Sequence, residues 1–540
     1  MADIEKKLLE NIVLELANTK YASELEFIKA LRQVFSQHKL APTTKANLIS
    51  TYRQLVKEGK IKEDQKFSQL LTKRAVRTLS GVSVITVLTK PFVCPGKCVY
   101  CPTEPDMPKS YLSNEPAAMR AKMNLFDAER QVNMRIKALE NNGHLVDKIE
   151  ILVLGGTWSV YPDHYQHDFI RDLFYAANTY GDGQKREKKN LAAEQKINED
   201  TTYKIIGLTL ETRPDFISET EVKKLRNLGC TRVQLGVQHT DNQILDLIKR
   251  GHNIEQSIIA TRLLKDAGFK VDHHYMPDLP GSTPEKDYEM FEYVFNSPDL
   301  QPDQLKIYPC VVNEFAELNK WYEEGRYQPY SEKELLDLLL AVKKIVPPYM
   351  RINRLIRDIP EESIIAGNKI TNLRQYLQNE LKRQNLSCRC LRCREVKGEE
   401  FDIKQIELVK RQYNASEGKE WFLSFENKEH TKVYAFLRLR INEQPEKNIF
   451  PELKNASLVR ELHVYGKMIP ATNDETDDEN GAISNTQHLG LGKRLMAEAE
   501  RITLEQGLDK VAVISGIGVR NYYRKLGYEL EGTYVTKTLK

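Results

Sequence analysis

The sequence predicts a multidomain α/β protein: a partial (β/α) barrel with a helical, basic segment before it and an α+β domain after it. Between residues 82 and 308, six short β-rich runs, among them SVITVL and KIEILVL, alternate with segments long enough for helices. Such repeated β/α units are typical of parallel barrel strands. Hydrophobic residues make up 41% of the 540 residues, which is enough for several cores and excludes disorder as the main state.

Shifts in pattern divide the chain into four predicted regions. They are a helical basic segment (1–78), the barrel (79–370), a linker with three cysteines (371–404) and the α+β domain (405–540). Residues 1–80 contain 15 Lys and Arg against 9 Asp and Glu, so their helices form either a nucleic-acid patch or an ordinary solvated surface. A charged insertion at residues 181–200 is predicted to be a solvated loop.

The sequence does not predict a membrane protein. Its best apolar run, GVSVITVL, has the length of a strand and falls far short of the roughly 20 residues of a membrane helix. The N-terminal sequence mixes acidic and basic residues, so we expect no secretory signal and a cytoplasmic location. In such a reducing compartment, clustered cysteines indicate metal ligands before disulfides.

Cys94, Cys98 and Cys101 form a CxxxCxxC loop directly after the first predicted strand. Three thiolates can hold three irons of a four-iron cluster and leave the fourth iron open for a chelating substrate. A structural zinc normally takes four ligands, so the zinc alternative needs a distant fourth ligand. The position at the carboxyl end of a barrel strand, where such folds carry their chemistry, favours the cluster.

This loop resembles the radical S-adenosylmethionine (radical SAM) superfamily, in which an aromatic residue precedes the last cysteine, as Tyr100 does here. Gly155, Gly156 and Thr157 follow the second strand and resemble the superfamily motif that approaches the methionine part of the cofactor. The resemblance implies a 4Fe-4S cluster, S-adenosylmethionine and its reductive cleavage to a 5′-deoxyadenosyl radical.

The C-terminal region resembles the GNAT acetyltransferases. Gln487, Gly490 and Gly492 match their (Gln/Arg)-x-x-Gly-x-(Gly/Ala) motif, in which backbone N–H groups at a helix start face a pyrophosphate. The strand KVAVISG and the segment NYYRKLGY follow it and resemble the closing helix and tyrosine of these enzymes. Without this resemblance, Tyr522 and Tyr523 are equally well explained as packing residues.

Together, the two patterns resemble the family of Elongator catalytic subunits, which are tRNA uridine(34) acetyltransferases. The resemblance covers the chain from Cys94 onward and includes LVDKIEILVLGGT, LETRPD, GCTRVQLGVQ, MPDLPG, LVRELHVYG and VISGIGVRNYYRKLGY. It implies that acetyl-CoA supplies a two-carbon unit that becomes a carboxymethyl group on C5 of the wobble uridine. In this hypothesis the radical abstracts a hydrogen from the acetyl methyl group, the carbon radical adds to C5, and thioester hydrolysis releases CoA.

The resemblance also implies which residues contact acetyl-CoA. These are Lys148, Glu461, Leu462, His463, Val464, Gln487, Gly490, Leu491, Gly492, Lys493 and Tyr523. Lys148, His463 and Tyr523 are the candidate catalytic residues, and Glu461 is a further candidate for activating water. Taken alone, Lys148 would be interpreted as a surface lysine at the start of a strand.

The implied partner is the anticodon stem-loop of a tRNA, read with its wobble base splayed from the stack. Basic residues at 1–78, 185–189 and 351–394 are the predicted track for its phosphates. The sequence leaves open whether accessory Elongator-type subunits or a second copy of the chain join the enzyme.

Cys388, Cys390 and Cys393 form a second triplet with metal-ligand spacing in the predicted linker. Zinc is the expected metal, with Cys230, Cys310 or a histidine as fourth ligand; a second iron–sulfur cluster and unligated thiols are the alternatives.

One alternative function keeps this fold: a histone-type protein lysine acetyltransferase whose cysteine cluster is structural. Another is an RNA-binding scaffold that holds acetyl-CoA only as a ligand. The open three-cysteine ligation and the glycine motif favour the tRNA-modifying enzyme over both.

Overall fold

The computed structural model describes residues 2–21, 23–38, 43, 45–71, 81–396, 405–465 and 490–540. The first region is helical, as predicted, with α1 (Ala2–Ala17), α2 (Glu24–Gln37), α3 (Lys45–Lys57) and α4 (Gln65–Leu71). These helices bury their own apolar cluster, which includes Phe27, Leu48 and Tyr52. Arg53 joins them to the barrel by donating to the backbone carbonyls of Glu140 and Gly143 (3.2 and 3.1 Å).

Seven parallel strands form the barrel sheet, and they follow each other in chain order. They are β1 (Ser83–Leu88), β2 (Lys148–Leu154), β3 (Lys204–Thr212), β4 (Arg232–Gln238), β5 (Lys270–Tyr275), β6 (Gln304–Ile307) and β8 (Arg351–Arg354). A short antiparallel pair, β7 (Val311–Val312) and β9 (Ala366–Gly367), lies beside them. The six predicted strands are confirmed. The seventh, β8, was not predicted because its residues RINR are mostly polar; it pairs with β6.

Helices connect and cover these strands. They are α5 (Pro116–Met123), α6 (Ala128–Asn141), α7 (Asp163–Thr179), α8 (Leu191–Asn198), α9 (Glu219–Asn227), α10 (Asn242–Leu247), α11 (Ile254–Asp266), α12 (Pro284–Asn296), α13 (Leu318–Glu323), α14 (Glu332–Ile345), α15 (Leu373–Arg383) and α16 (Leu391–Arg394). Polar caps begin several of them; in α11 and α14, Asn253 and Ser331 form reciprocal capping boxes with Gln256 and Glu334.

The prediction of a solvated loop at residues 181–200 is wrong for its second half. Residues 191–198 form α8, and the side chains of Glu194 and Glu199 are fully buried. Each carboxylate is paired with arginine: Glu194 with Arg186, and Glu199 with two arginines near the C-terminus. A high content of charged residues therefore did not indicate exposure here, because arginines neutralise both buried carboxylates, one from within the insertion and two from the C-terminal region.

The second sheet contains seven strands in the order β10-β11-β12-β13-β14-β16-β15. Its elements are β10 (Ile406–Asn414), β11 (Gly418–Asn427), β12 (Val433–Asn442), β13 (Ala456–Val464), α17 (Leu491–Glu505), β14 (Lys510–Val513), α18 (Arg520–Arg524), β15 (Glu529–Glu531) and β16 (Tyr534–Thr538). Among the described strands of this sheet, only β13 and β14 pair in parallel, between residues 456–459 and 510–513. No helix in the described part of the chain combines the length and apolar character needed to cross a bilayer.

The two sheets share one hydrophobic core. Leu458, Ile514 and Tyr534 of the second sheet and the turns beside it belong to the same buried cluster as the barrel strands. The contact is so close that a Cβ on Gly516 would lie 1.9 Å from the backbone oxygen of Ile206 in β3. Only glycine allows this approach of backbone to backbone.

A buried ion-pair network crosses the same interface. Arg460 of β13 pairs with Asp303, just before β6, at 2.5 Å and with Glu420 of β11 at 2.8 Å, and none of the three is more than 1% exposed. Lys265 of α11 lies 3.4 Å from Glu420. Burial would raise the pKa of Asp303, but Arg460 and Lys265 outweigh it and hold the pKa below its ordinary value.

We expect Asp303→Asn to lower the free energy of unfolding by about 3–5 kcal/mol, because it removes one of the two buried carboxylates that neutralise Arg460 and leaves more positive than negative charge in the network. Asp337→Asn is the control: Asp337 pairs with Lys333 on the exposed face of α14, and its loss should change stability by less than about 1 kcal/mol. Urea titrations followed by circular dichroism measure both. Equal effects of the two substitutions would contradict a structural role for the network.

Candidate functional site

The first cysteine loop leaves the carboxyl end of β1 and is held by the backbone of other loops. The N–H of Val99 donates to the carbonyl of Ile248 at 3.1 Å, and the carbonyl of Val99 accepts from Leu318 at 2.8 Å. Cys98 is buried, whereas Cys94 and Cys101 are partly accessible. Burial raises the pKa of the Cys101 thiol to about 12, so its thiolate needs a nearby positive charge such as a metal.

The sulfur spacing of this loop distinguishes it from the second triplet. The three sulfur atoms of Cys388, Cys390 and Cys393 all lie within 4.8 Å of one another, whereas those of the first loop do not meet that limit. Three thiolates on one zinc ion lie about 3.8 Å apart, since each bond is about 2.3 Å. In a four-iron cluster each thiolate binds a different iron, which requires a wider triangle. The close spacing of the second triplet therefore fits a single ion, and the first loop lacks that close spacing.

Two buried arginines face the first loop, and the sequence analysis identified neither. Arg213 forms a bidentate pair with Asp215 at 2.9 and 2.8 Å, and a Cβ on Gly96 would lie 2.7 Å from its Nη1 atom. Arg250 is 5% exposed and donates to the Cys98 sulfur at 3.5 Å and to the Gly236 carbonyl at 3.1 Å.

The described residues show no carboxylate paired with Arg250. A buried guanidinium without a counter-charge is costly. The position of Arg250 fits a loop that binds an anionic ligand, and a cluster bound by thiolates is anionic. Its LIKRGHN context gave no local signal of this role, because the contact with Cys98 spans 152 positions.

Gly155 and Gly156 follow β2 in backbone conformations with φ of 140° and 92°. A Cβ on Gly155 would lie 1.9 Å from the Thr89 hydroxyl, so glycine is required there. The Thr157 hydroxyl lies 3.6 Å from the Cys94 sulfur. The predicted glycine motif therefore lies against the cysteine loop. Because it has no side chains at Gly155 and Gly156, the space beside its backbone stays open.

Cys388 and Cys390 of the second triplet lie between α15 and α16, and Cys393 lies in α16. Cys388 and Cys390 are buried, and Lys343 and Gln378 place nitrogens 3.9 and 3.8 Å from the Cys393 sulfur. Among the described residues, no other cysteine, histidine or carboxylate joins this group. The expectation that Cys230 or Cys310 supplies the fourth ligand is therefore wrong.

We expect the two triplets to lose different metals when they are mutated. Cys98→Ser should remove iron from the anaerobically reconstituted protein and leave the second metal bound, whereas Cys390→Ser should do the reverse. Plasma mass spectrometry of both variants and the wild type gives the iron and zinc contents. Loss of both metals from either variant would contradict two independent sites.

The acetyl-CoA candidates lie where β13 separates from β14. Parallel pairing between these strands ends at Val459 and Val513, so residues 461–464 have an edge that is free of β14. Gly490, in the left-handed conformation, precedes α17, and a Cβ on Gly492 would lie 2.8 Å from the Tyr522 hydroxyl. A strand edge beside a helix N-terminus offers hydrogen bonds to an amide chain and to a phosphate.

Glu461 and His463 point from β13 into the same space. Burial would raise the pKa of Glu461, but Lys270 at 3.3 Å and Arg438 at 3.0 Å lower it to about 2. Burial lowers the pKa of His463 to about 4, so the imidazole is neutral at physiological pH. Among the described residues, none forms a hydrogen bond with its buried Nε2 atom.

One cavity of about 1980 Å³ extends from Tyr100, next to Cys101, to the residues predicted to contact acetyl-CoA; the three cysteines of the first loop and Gly155–Thr157 are not part of its lining. Its lining includes Lys148, Glu461, Leu462, His463, Val464, Gly490, Gly492, Lys493 and Tyr523, and also Tyr100 of the first cysteine loop. Inward side chains of the barrel, such as Glu150, Gln234 and Lys306, line the space between them. Leu491 instead packs in the core of the second sheet, and Gln487 lies outside the described residues.

Several cationic side chains that were predicted to contact RNA instead form ion pairs with carboxylates of the protein itself. Lys185 and Lys188 both pair with Glu129, and Arg394 pairs with the buried Glu426. Arg351 and Arg357 are likewise bound to Glu395 and Glu115. These side chains do not form a free track of positive charge.

Comparison with known proteins agrees with this geometry. The model of the Radical SAM superfamily matches residues 90–294, and that of the Radical_SAM C-terminal domain matches residues 302–383. A tRNA uridine(34) acetyltransferase of Methanocaldococcus infernus is 44% identical over 484 residues, which cover 87% of this chain and 88% of that protein. Elongator complex protein 3 of Homo sapiens is 39% identical over 487 residues, covering 87% and 86%.

A solved structure extends the likeness to the fold. The archaeal Elp3 of Methanocaldococcus infernus, with residues 1–46 deleted, superposes with a TM-score of 0.73 at 41% identity, covering 85% of this chain and 100% of that one. The chain therefore belongs to the radical SAM family of tRNA uridine(34) acetyltransferases and Elongator complex protein 3.

Proposed function

We propose that this enzyme carboxymethylates the wobble uridine of tRNA, with acetyl-CoA as the source of the two carbons and 5-carboxymethyluridine as the product. The observation that supports this most strongly is the single cavity between the cysteine loop and the β13–α17 region. A two-carbon unit that reacts with a short-lived radical must be held beside it, and one shared enclosure provides that proximity.

Beside Tyr100, at the carboxyl end of the barrel strands, Cys94, Cys98 and Cys101 would hold the 4Fe-4S cluster, and the Gly155–Thr157 backbone would approach S-adenosylmethionine. When bound, this cofactor pair supplies a 5′-deoxyadenosyl radical. The chain itself contributes a buried positive charge from Arg250 beside the buried Cys98.

At the end of the cavity next to β13, the N-terminus of α17 would bind the acetyl-CoA pyrophosphate. The free edge of residues 461–464 would pair with the pantetheine amides. Lys148 at the amino end of β2 faces this region across the cavity. β2 has 7 residues, so Lys148 and Leu154 are about 20 Å apart. The acetyl end must therefore travel along the polar barrel interior to meet the radical site.

His463 is the proposed general base for thioester hydrolysis. Its Nε2 atom accepts a proton from water, the water oxygen attacks the thioester carbonyl, and the carbon–sulfur bond breaks. CoA leaves as a thiolate that takes up the proton, and the carboxylate remains on the uridine. Tyr523 and Lys148 are proposed to place the thioester, since both line the cavity.

The tRNA substrate is proposed from the relatives' names and from the basic charge of residues 1–80. Lys97, exposed within the cysteine loop, is well placed to meet an anticodon phosphate. The likeness to Elongator complex protein 3 suggests partner subunits as well. We propose zinc at the second triplet and a cytoplasmic location, where tRNA and reduced thiols coexist.

An anaerobic assay tests the function directly. Reconstituted enzyme, acetyl-CoA, S-adenosylmethionine, a reductant and tRNA should yield carboxymethylated uridine by nucleoside mass spectrometry, and Cys98→Ser should abolish the product. Cys230→Ser is the control, because Cys230 is buried away from the loop; it should retain the product. Acetylated protein lysines, formed equally by Cys98→Ser, would instead indicate a plain lysine acetyltransferase.

His463→Gln is expected to lower the release of CoA by roughly 100-fold, the lower range for loss of a general base. It should leave S-adenosylmethionine cleavage intact, because β13 lies at the far end of the cavity. Since burial lowers the pKa of His463 to about 4, the base stays deprotonated and wild-type hydrolysis should vary little between pH 5.5 and 7.5. A tenfold decrease in the rate of hydrolysis as the pH falls from 7.5 to 5.5 would exclude His463 as the base.

A further inference from the structure

The end of α8, in the barrel insertion, is joined to α18, the short helix that carries Tyr522 and Tyr523. Glu199 directly follows α8 and pairs with Arg520 at 3.2 Å and with Arg524 at 2.8 Å. The Asn521 side chain donates to the Glu199 carbonyl (3.2 Å) and to the Asp200 carboxylate (2.8 Å). Three of the five residues of α18 are therefore bound to one corner of the insertion.

This contact is buried and directional. The Glu199 side chain is fully buried, and Arg520 is 10% exposed. Burial opposes the charge of Glu199, but hydrogen bonds from Arg524, Lys196 and Arg520 outweigh it and lower its pKa. A carboxylate held in this way has one geometry, so the two arginines fix where α18 begins and ends.

The rest of the α18 region also lies on the barrel. A Cβ on Gly518 would be 2.7 Å from the Lys204 Cβ in β3, which shows how closely the turn before the helix contacts that strand. From there α18 places the Tyr522 hydroxyl over Gly492 in the first turn of α17 and directs Tyr523 into the core beside the cavity.

We infer that Glu199 is a positioning residue for acetyl-CoA: from the barrel, it sets the place of the helix whose tyrosines close the acetyl-CoA pocket. This inference rests on the proposed acetyl-CoA site. It assigns a role to the charged insertion, and it makes acetyl-CoA affinity depend on a residue of the radical SAM region rather than of the second sheet alone.

Glu194 supplies a matched control within the same helix. Its side chain is also fully buried and pairs with Arg186, but that contact lies inside the insertion and does not reach α18. Loss of either carboxylate should loosen α8. Only loss of Glu199 should change the acetyl-CoA pocket.

Isothermal titration of full-length reconstituted wild type, Glu199→Gln and Glu194→Gln with acetyl-CoA and, separately, S-adenosylmethionine tests the inference. We expect Glu199→Gln to weaken acetyl-CoA binding about tenfold, equivalent to about 1.4 kcal/mol, and to leave S-adenosylmethionine binding unchanged. Glu194→Gln should bind both as the wild type does. Glu199→Asp keeps the negative charge and should recover part of the acetyl-CoA affinity. It provides a second test of the inference if Glu199→Gln fails to fold.

A double-mutant cycle with Arg524→Gln separates positioning from direct contact. If Glu199 acts through Arg524, the double variant Glu199→Gln/Arg524→Gln binds acetyl-CoA no more weakly than the weaker single variant. Unchanged acetyl-CoA affinity in Glu199→Gln, or equal loss in Glu194→Gln, would overturn the inference while the proposed function stands. A wild type that binds no acetyl-CoA would overturn the proposed function and the inference with it.

Discussion

The architecture depends on the buried charge network that fastens the second sheet to the barrel. Arg460, Asp303 and Glu420 lose nearly all contact with water, and removing charges from water is costly unless each one is paired. Their mutual pairing sets the distance and the register between β13 and the strands β5 and β6. Because β13 also bears Glu461 and His463, the same network decides where the acetyl-CoA candidates face the barrel.

The barrel interior is adapted to that arrangement. Barrels of this kind usually fill their interior with branched apolar side chains, whereas here Glu150, Gln234 and Lys306 line an open cavity. Glu150 is paired with Arg232 at 2.8 Å and Lys306 donates to Gln234 at 2.5 Å, so the polar groups satisfy one another. A polar, unfilled interior is compatible with the proposed path of the acetyl group.

The two cysteine triplets show how similar sequence spacings produce different sites. Cys94, Cys98 and Cys101 are spread along a loop held by distant backbone groups, and Arg250 adds a positive charge. The second triplet is compact, with Cys390 fully buried, and is placed between short helices. The backbone path brings the three sulfur atoms of the second triplet within 4.8 Å of one another, a spacing that suits a single ion.

Local patterns in the sequence were sufficient for the six β-rich barrel strands and for the glycines beside the first cysteine loop, because each depends on neighbouring residues. They were insufficient for the pairing of β8 with β6, for the contacts of Glu199 with the arginines of α18 and for the contact of Arg250 with Cys98, which span between 40 and 330 positions. Chain order therefore indicated the fold class and the radical SAM region. Only packing decided that the halves share a core and one cavity, because burial and charge pairing depend on residues that are distant in sequence.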